Sequence, residues 1–218
     1  MLDLSVAGPM VTLLAGGDAL LHVYLDVRKV MRNRDVLSDE GGFPDSGAFL
    51  VLSAIATLCS FWMVGMIVFS WVAGAAMEGL PLLSVLWAAP ELQWGLGLGI
   101  LAAGIIFHGW SRAVRRDMAS SWEMDSEHVL VTRGPYKWIR HPSYAAYMLS
   151  FVGLFLMWPS ILGLVLLMGI PGYYYLSKSE EQHLIDHFGD DYINYMSRTG
   201  AFFPRFRQKA KSNSAPKP

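Results

Sequence analysis

The sequence predicts an all-α, polytopic membrane protein with about five transmembrane helices, the last two forming a C-terminal hairpin. Three observations carry that prediction. Of the 218 residues 53% are hydrophobic and only 16% are charged, which is too apolar for an ordinary soluble domain of this length. Apolar runs of about 20 residues or more recur along the chain, enough for a helix to cross a hydrocarbon core of about 30 Å. The basic residues gather in a few stretches between those runs, as cytoplasmic loops do.

The first candidate span, Leu4 to Leu25, is apolar but carries Asp18 and His22 four residues apart on one helical face. Such a pair reads as facing protein or the membrane interface, with a functional intramembrane pair as the alternative. The segment lacks the early positive charges and small-residue cleavage pattern of a secretory signal, so it is expected to stay in the mature chain. The second span, Gly47 to Met77, contains the single cysteine, Cys59. One cysteine excludes an internal disulfide and a cysteine metal cluster.

The third span runs from about Leu92 to Trp110 and includes Gly95-Leu96-Gly97-Leu98-Gly99. This is the glycine spacing of a nucleotide-binding loop, yet no strand precedes it, and small residues in an apolar helix let helices pack closely. The last apolar run, Ser143 to Ser177, is too long for one helix. Proline removes a backbone donor and disfavours helix before it, so Trp158-Pro159-Ser160 predicts a tight hairpin of two short helices.

All 17 Lys and Arg fall into three groups: four between residues 26 and 46, six between 112 and 142, and seven after 177. Five spans with the amino terminus outside account for all of them. The formal net charge of −1 therefore hides a basic cytoplasmic face, where membrane lipid headgroups or an anionic cofactor group would be attracted. Nucleic acid is not needed to explain it. Residues 1–206 read as one integral membrane domain, with helices over 1–115 and a polar, motif-bearing region over 116–206. The tail 207–218 is basic, polar and Pro-containing, and reads as disordered.

Two polar clusters on the cytoplasmic side hold the chemistry. In the first, Arg133 to Tyr144 (RGPYKWIRHPSY), Gly134-Pro135 marks a turn, and Arg140 and His141 stand before Pro142, which suits the first turn of a helix. Cations and unpaired N–H groups there can grip a carboxylate or phosphate, while Tyr136, Trp138 and Tyr144 offer flat faces. The plain alternative is a snorkelling aromatic belt. The second cluster follows the last span and begins with Glu180 and Glu181. The hairpin returns it to the side of Arg140 and His141. Glu180-x-x-His183 resembles part of a carboxylate-bridged metal site, but such sites need matching ligands on other helices. The segment therefore reads as an amphipathic helix just after the membrane, and no metal is predicted.

Together, Leu130-Val131-x-x-Gly134-x-Tyr136-x-x-x-Arg140-His141-Pro142-x-Tyr144, an apolar hairpin, and Glu180-Glu181-x-x-Leu184-x-x-x-Phe188-Gly189-x-x-Tyr192-x-x-Tyr195 resemble the isoprenylcysteine carboxyl methyltransferases and their prokaryotic relatives. The resemblance covers about residues 120 to 206. It implies an integral membrane methyltransferase using S-adenosylmethionine, with the site on the cytoplasmic face of a prokaryotic membrane. It places Leu130, Val131, Gly134, Tyr136, Arg140, His141 and Tyr144 on one side of the cofactor pocket and Glu180 and Glu181 on the other, with Glu181 also in a catalytic role. Arg198 matches a catalytic arginine of eukaryotic members. Those members read arginine-valine-proline where this chain has Arg198-Thr199-Gly200, so Arg205 is a second candidate.

The residue chemistry agrees with that implication. A cofactor carboxylate suits His141 and Arg140, its amine and ribose suit Glu180 or Glu181, and its adenine suits an apolar, aromatic slot. Methyl transfer from a sulfonium is an in-line displacement, in which orientation and a dry site count for more than acid–base groups. Arg198 would hold an anionic nucleophile; an amine would need a carboxylate to take its proton. The acceptor, lipophilic or small, is left open between an isoprenylcysteine-type carboxylate, a lipid amine and a thiol. Competing readings are an NADPH-dependent sterol-type membrane reductase and a non-enzymatic lipid-binding scaffold.

Overall fold

A computed structural model describes residues 4–32, 47–75, 90–116 and 129–205. The loop residues between these stretches and the basic tail expected over 207–218 lie outside them. Six α-helices and no strand occur among the described residues: α1 (Leu4–Arg32), α2 (Gly47–Ala73), α3 (Pro90–Arg115), α4 (Pro142–Met157), α5 (Ile161–Phe188) and α6 (Asp190–Arg198). Four of them, α1, α2, α3 and α5, are long and apolar enough to cross a membrane, and α4 is a shorter apolar helix. The chain is a multi-pass membrane protein built as the sequence predicts.

Packing pairs α3 with α4 and α2 with α5, and α1 lies against both α2 and α3. Phe151 and Leu154 of α4, Leu166 of α5 and Met63 and Ile67 of α2 form a shared core. Hydrophobic burial does not drive helices together inside lipid, so close backbone approach has to contribute. It does so at Gly97, where a Cβ would lie 2.6 Å from the Met157 backbone nitrogen, and at Gly153, where one would lie 2.5 Å from that of Leu101. Of the three glycines in the Gly95–Gly99 run, Gly97 alone meets a neighbour; Gly95 and Gly99 face open space.

The hairpin breaks where proline predicts. α4 ends at Met157, and α5 starts after Ser160, whose hydroxyl caps it by accepting from the Gly163 N–H at 3.0 Å. The second arm is not short, however. α5 continues through the charged segment to Phe188 for 28 residues, so the segment after Ser177 is the end of a spanning helix rather than a separate one. Glu, Lys, Gln and Leu are strong helix formers, so loss of apolarity at Lys178 does not end the helix. Gly189, with φ of 55°, ends it.

Beyond α6 the chain folds back beside residues 138–141. A parallel bridge joins Ile139 to Gly200. The Arg140 N–H donates to the Gly200 carbonyl at 2.9 Å, and the His141 N–H to that of Ala201 at 3.0 Å. The segment that holds Arg140 and His141 is thus fixed by the end of the second polar cluster.

Candidate functional site

Two elements bring Arg140 and His141 to the bundle's end. Gly134, at φ of 59°, starts a single 3₁₀ turn over Gly134–Lys137. A Cβ there would meet the Val114 side chain at 2.8 Å, so glycine permits both the turn and its seat on α3. His141 then stands at the N-cap position of α4, its side chain making no capping bond, with Pro142 at the first helical position.

The expected two-sided cluster is present. His141 lies between the two carboxylates of α5, its Nδ1 3.3 Å from Glu180 Oε2 and its Nε2 3.1 Å from Glu181 Oε1. Arg140 Nε donates to Glu181 Oε1 at 2.6 Å, and its Nη1 donates to the Thr199 carbonyl at 2.5 Å. Burial by itself would lower the pKa of His141, but hydrogen bonds and charge from Glu180 and Glu181 outweigh it and raise the value. His141 is 5% exposed, so its protonated form depends on those carboxylates.

A cavity of about 650 Å³, its open mouth included, adjoins this cluster. Leu130, Val131, Tyr136, Arg140, His141, Tyr144 and Glu180 line it, joined by Arg115, Leu184, Phe188, Tyr192 and Tyr195. Burial pushes the phenols of Tyr136, Tyr192 and Tyr195 above their ordinary range, so they remain hydroxyl donors. Tyr195 uses its donor on the Tyr136 carbonyl at 2.6 Å.

Two of the residues expected on the cofactor side do not touch the cavity. Gly134 acts through the backbone turn, and Glu181 acts through Arg140 and His141. Arg198 is not brought there either: it is exposed on α6, with Nε donating to the Asn194 carbonyl at 3.2 Å. Arg205 donates from Nη1 to the Met196 carbonyl at 3.2 Å and lines a second, more open groove with Phe203, Pro204 and Arg140. Arg140 is the wall common to cavity and groove.

Residues 92–191 match the PEMT family, described as phospholipid methyltransferase. The chain is 34% identical over 82 residues to a protein-S-isoprenylcysteine O-methyltransferase of Saccharomyces cerevisiae, covering 37% of this chain and 34% of that one. It is 32% identical over 127 residues to the enzyme of that name from Rattus norvegicus, covering 53% and 44%. Through this region the chain is similar to phospholipid and isoprenylcysteine methyltransferases. Another relative is the nickel-cobalt-cadmium resistance protein NccN of Alcaligenes xylosoxydans xylosoxydans, 39% identical over 77 residues, which cover 35% of this chain and 36% of that one. These matches span less than half of each relative's length. A solved structure of the eukaryotic intramembrane Ras methyltransferase, isoprenylcysteine carboxyl methyltransferase, aligns with 91% of this chain and 69% of its own, at 16% identity and a TM-score of 0.44.

Both family motifs converge on the cavity, and α3 adds a cation. Arg115 is the functional candidate that motif reading misses, because it lies on a helix with no recognisable pattern and appears in sequence only as one basic loop residue. Its Nε is buried without a hydrogen-bond partner, as is the Tyr192 hydroxyl, and both residues line the cavity. An unused cationic donor and an unused phenol fit a ligand carrying a carboxylate and hydroxyls.

Proposed function

We propose that the chain is an S-adenosylmethionine-dependent methyltransferase that acts on a lipophilic acceptor at the cytoplasmic surface of a prokaryotic membrane. The observation that carries this reading is the cavity in which both family motifs meet an unpartnered arginine donor at the end of the helical bundle.

Arg115 and His141 hold the cofactor carboxylate, Glu180 receives amine or ribose donors, and Leu130, Val131 and Tyr144 enclose the adenine. The bound cofactor supplies an electrophilic methyl group on a sulfonium. The protein's task is then to orient two reactants and exclude water, effects worth about 7–11 kcal/mol in well-oriented intramolecular reactions. Glu181 serves by holding Arg140 and His141 in place. Arg140 stands between the cavity and the more open groove, where it can fix an acidic acceptor head against the cofactor side. Apolar walls at Phe203 and Pro204 suit an acceptor with a lipid tail entering from the bilayer.

Calorimetric titration with S-adenosylhomocysteine tests the cofactor assignment. Saturable binding by the purified protein, lost in His141→Ala, supports it; absence of binding by folded wild type refutes it. Radiolabelled methyl transfer to an isoprenylcysteine and to an aminophospholipid then separates carboxylate from amine acceptors.

A further inference from the structure

A second polar centre lies away from that site, inside the membrane part of the bundle. Asp18 and His22 of α1 are joined by His108 of α3, ninety residues after Asp18. His108 Nδ1 is 3.1 Å from Asp18 Oδ2, and His22 Nδ1 is 3.7 Å from the same oxygen. One ligand atom from each of the three lies within 4.8 Å of the others. The two imidazole rings are stacked, with centroids 5.0 Å apart and planes within 7°, and Tyr147 of α4 covers His108 at 4.7 Å.

Two facts favour a ligand here over a self-contained hydrogen-bond cluster. Asp18 Oδ1 is buried and has no hydrogen-bond partner; it faces Gly109, where a Cβ would come within 3.1 Å, so α3 is thin where the carboxylate enters. The side chains of Asp18, His22 and His108 also keep 20%, 29% and 12% exposure, which leaves an ion a way in. Ionisable side chains among membrane helices are costly and mark functional sites.

We infer that Asp18, His22 and His108 form a binding site for one divalent transition ion of the zinc type. Two imidazoles and one carboxylate are a donor set for such an ion, with a fourth position left for water or another ligand. Bond lengths of about 2.0–2.2 Å place the ligand atoms of a tetrahedral ion roughly 3.4 Å apart; two pairs here stand at 3.1 and 3.7 Å, all three atoms lie within 4.8 Å, and His22 would exchange its 2.9 Å contact with the Asp18 carbonyl for the ion. It would tie α1 to α3 one turn before the ion pair of Arg112 with Asp26, where the two helices are already joined.

The test uses full-length protein purified without a histidine tag, stripped with chelator and equilibrated with Zn²⁺ in detergent. One Zn²⁺ per chain is expected by elemental analysis. His108→Ala and Asp18→Asn should retain none, and His183→Ala/His187→Ala, which removes the exposed histidine pair of α5, should retain the full ion. A wild-type protein that holds no ion, or an ion that survives His108→Ala, overturns the site. A variant that loses its monodisperse elution profile is replaced by X-ray absorption on wild type loaded with Co²⁺: two imidazoles in the first shell uphold the site, and fewer than two overturn it.

Discussion

The molecule's two polar centres are built in opposite ways. At one end of the bundle, Arg140, His141, Glu180 and Glu181 meet across the turn before α4 and the end of α5, within 2.6–3.3 Å of one another's charged atoms. In the bundle, three side chains from α1 and α3 gather around a carboxylate with one oxygen unpartnered. The first centre is internally compensated, so it can form without a ligand and serve as a preorganised wall. The second is under-satisfied, and an unmade hydrogen bond at a buried group costs about 1–3 kcal/mol. One centre scaffolds a pocket beside it; the other needs something in its middle.

Removing a compensating charge should therefore do the most damage. Glu181→Ala leaves Arg140 and His141 without their shared carboxylate. Breaking a buried pair from one side costs about 3–5 kcal/mol. Binding of S-adenosylhomocysteine is expected to disappear, with a clear fall in thermal stability. Unchanged affinity in calorimetry would mean that the compensated cluster does not shape the pocket.

Arg115 should behave differently, because its Nε has no protein partner to lose. Arg115→Met is expected to leave the thermal midpoint where it is while weakening S-adenosylhomocysteine binding by a factor of about 10 to 100, the equivalent of one charge-assisted hydrogen bond. Lost stability with retained affinity would make Arg115 structural and remove it from the site.

Those two residues also mark how far the sequence can be read. The hairpin was legible from Pro159, and the pocket's main walls from two motifs, because each lies within a short contiguous stretch. Arg115 and His108 were not, since each depends on where α3 packs, and no local pattern encodes that. The length of α5 was hidden for a different reason: hydropathy changes at Lys178, while helix propensity does not change until Gly189. Arg198 is the converse case. A motif position can align while the backbone turns its side chain toward the Asn194 carbonyl instead of the cavity.

That placement predicts a modest split between two arginines. Arg205 borders the groove that shares Arg140 with the cavity, and Arg198 borders neither. In methyl-transfer assays with a lipophilic acceptor, Arg205→Ala is expected to lower kcat/KM about tenfold, the loss of about 1.4 kcal/mol of transition-state binding. Arg198→Ala should stay close to wild type. The reverse order would show that α6 rearranges when the acceptor binds.

The smallest effect should appear in the pH dependence of the ligand-free protein. Contacts with Glu180 and Glu181 hold the His141 pKa above its ordinary value of 6.5. A raised folded pKa means that the protonated imidazole contributes stability in full below the unfolded value, and that this contribution is lost as pH rises through the folded one. Thermal midpoints should thus drift downward above neutral pH, and His141→Gln should flatten the drift. The Asp18 centre supplies the contrast: an ion that binds only the folded chain there stabilises it by mass action. Saturating Zn²⁺ should raise the melting curves of wild type and leave those of Asp18→Asn unmoved, which would separate the two centres in one set of measurements.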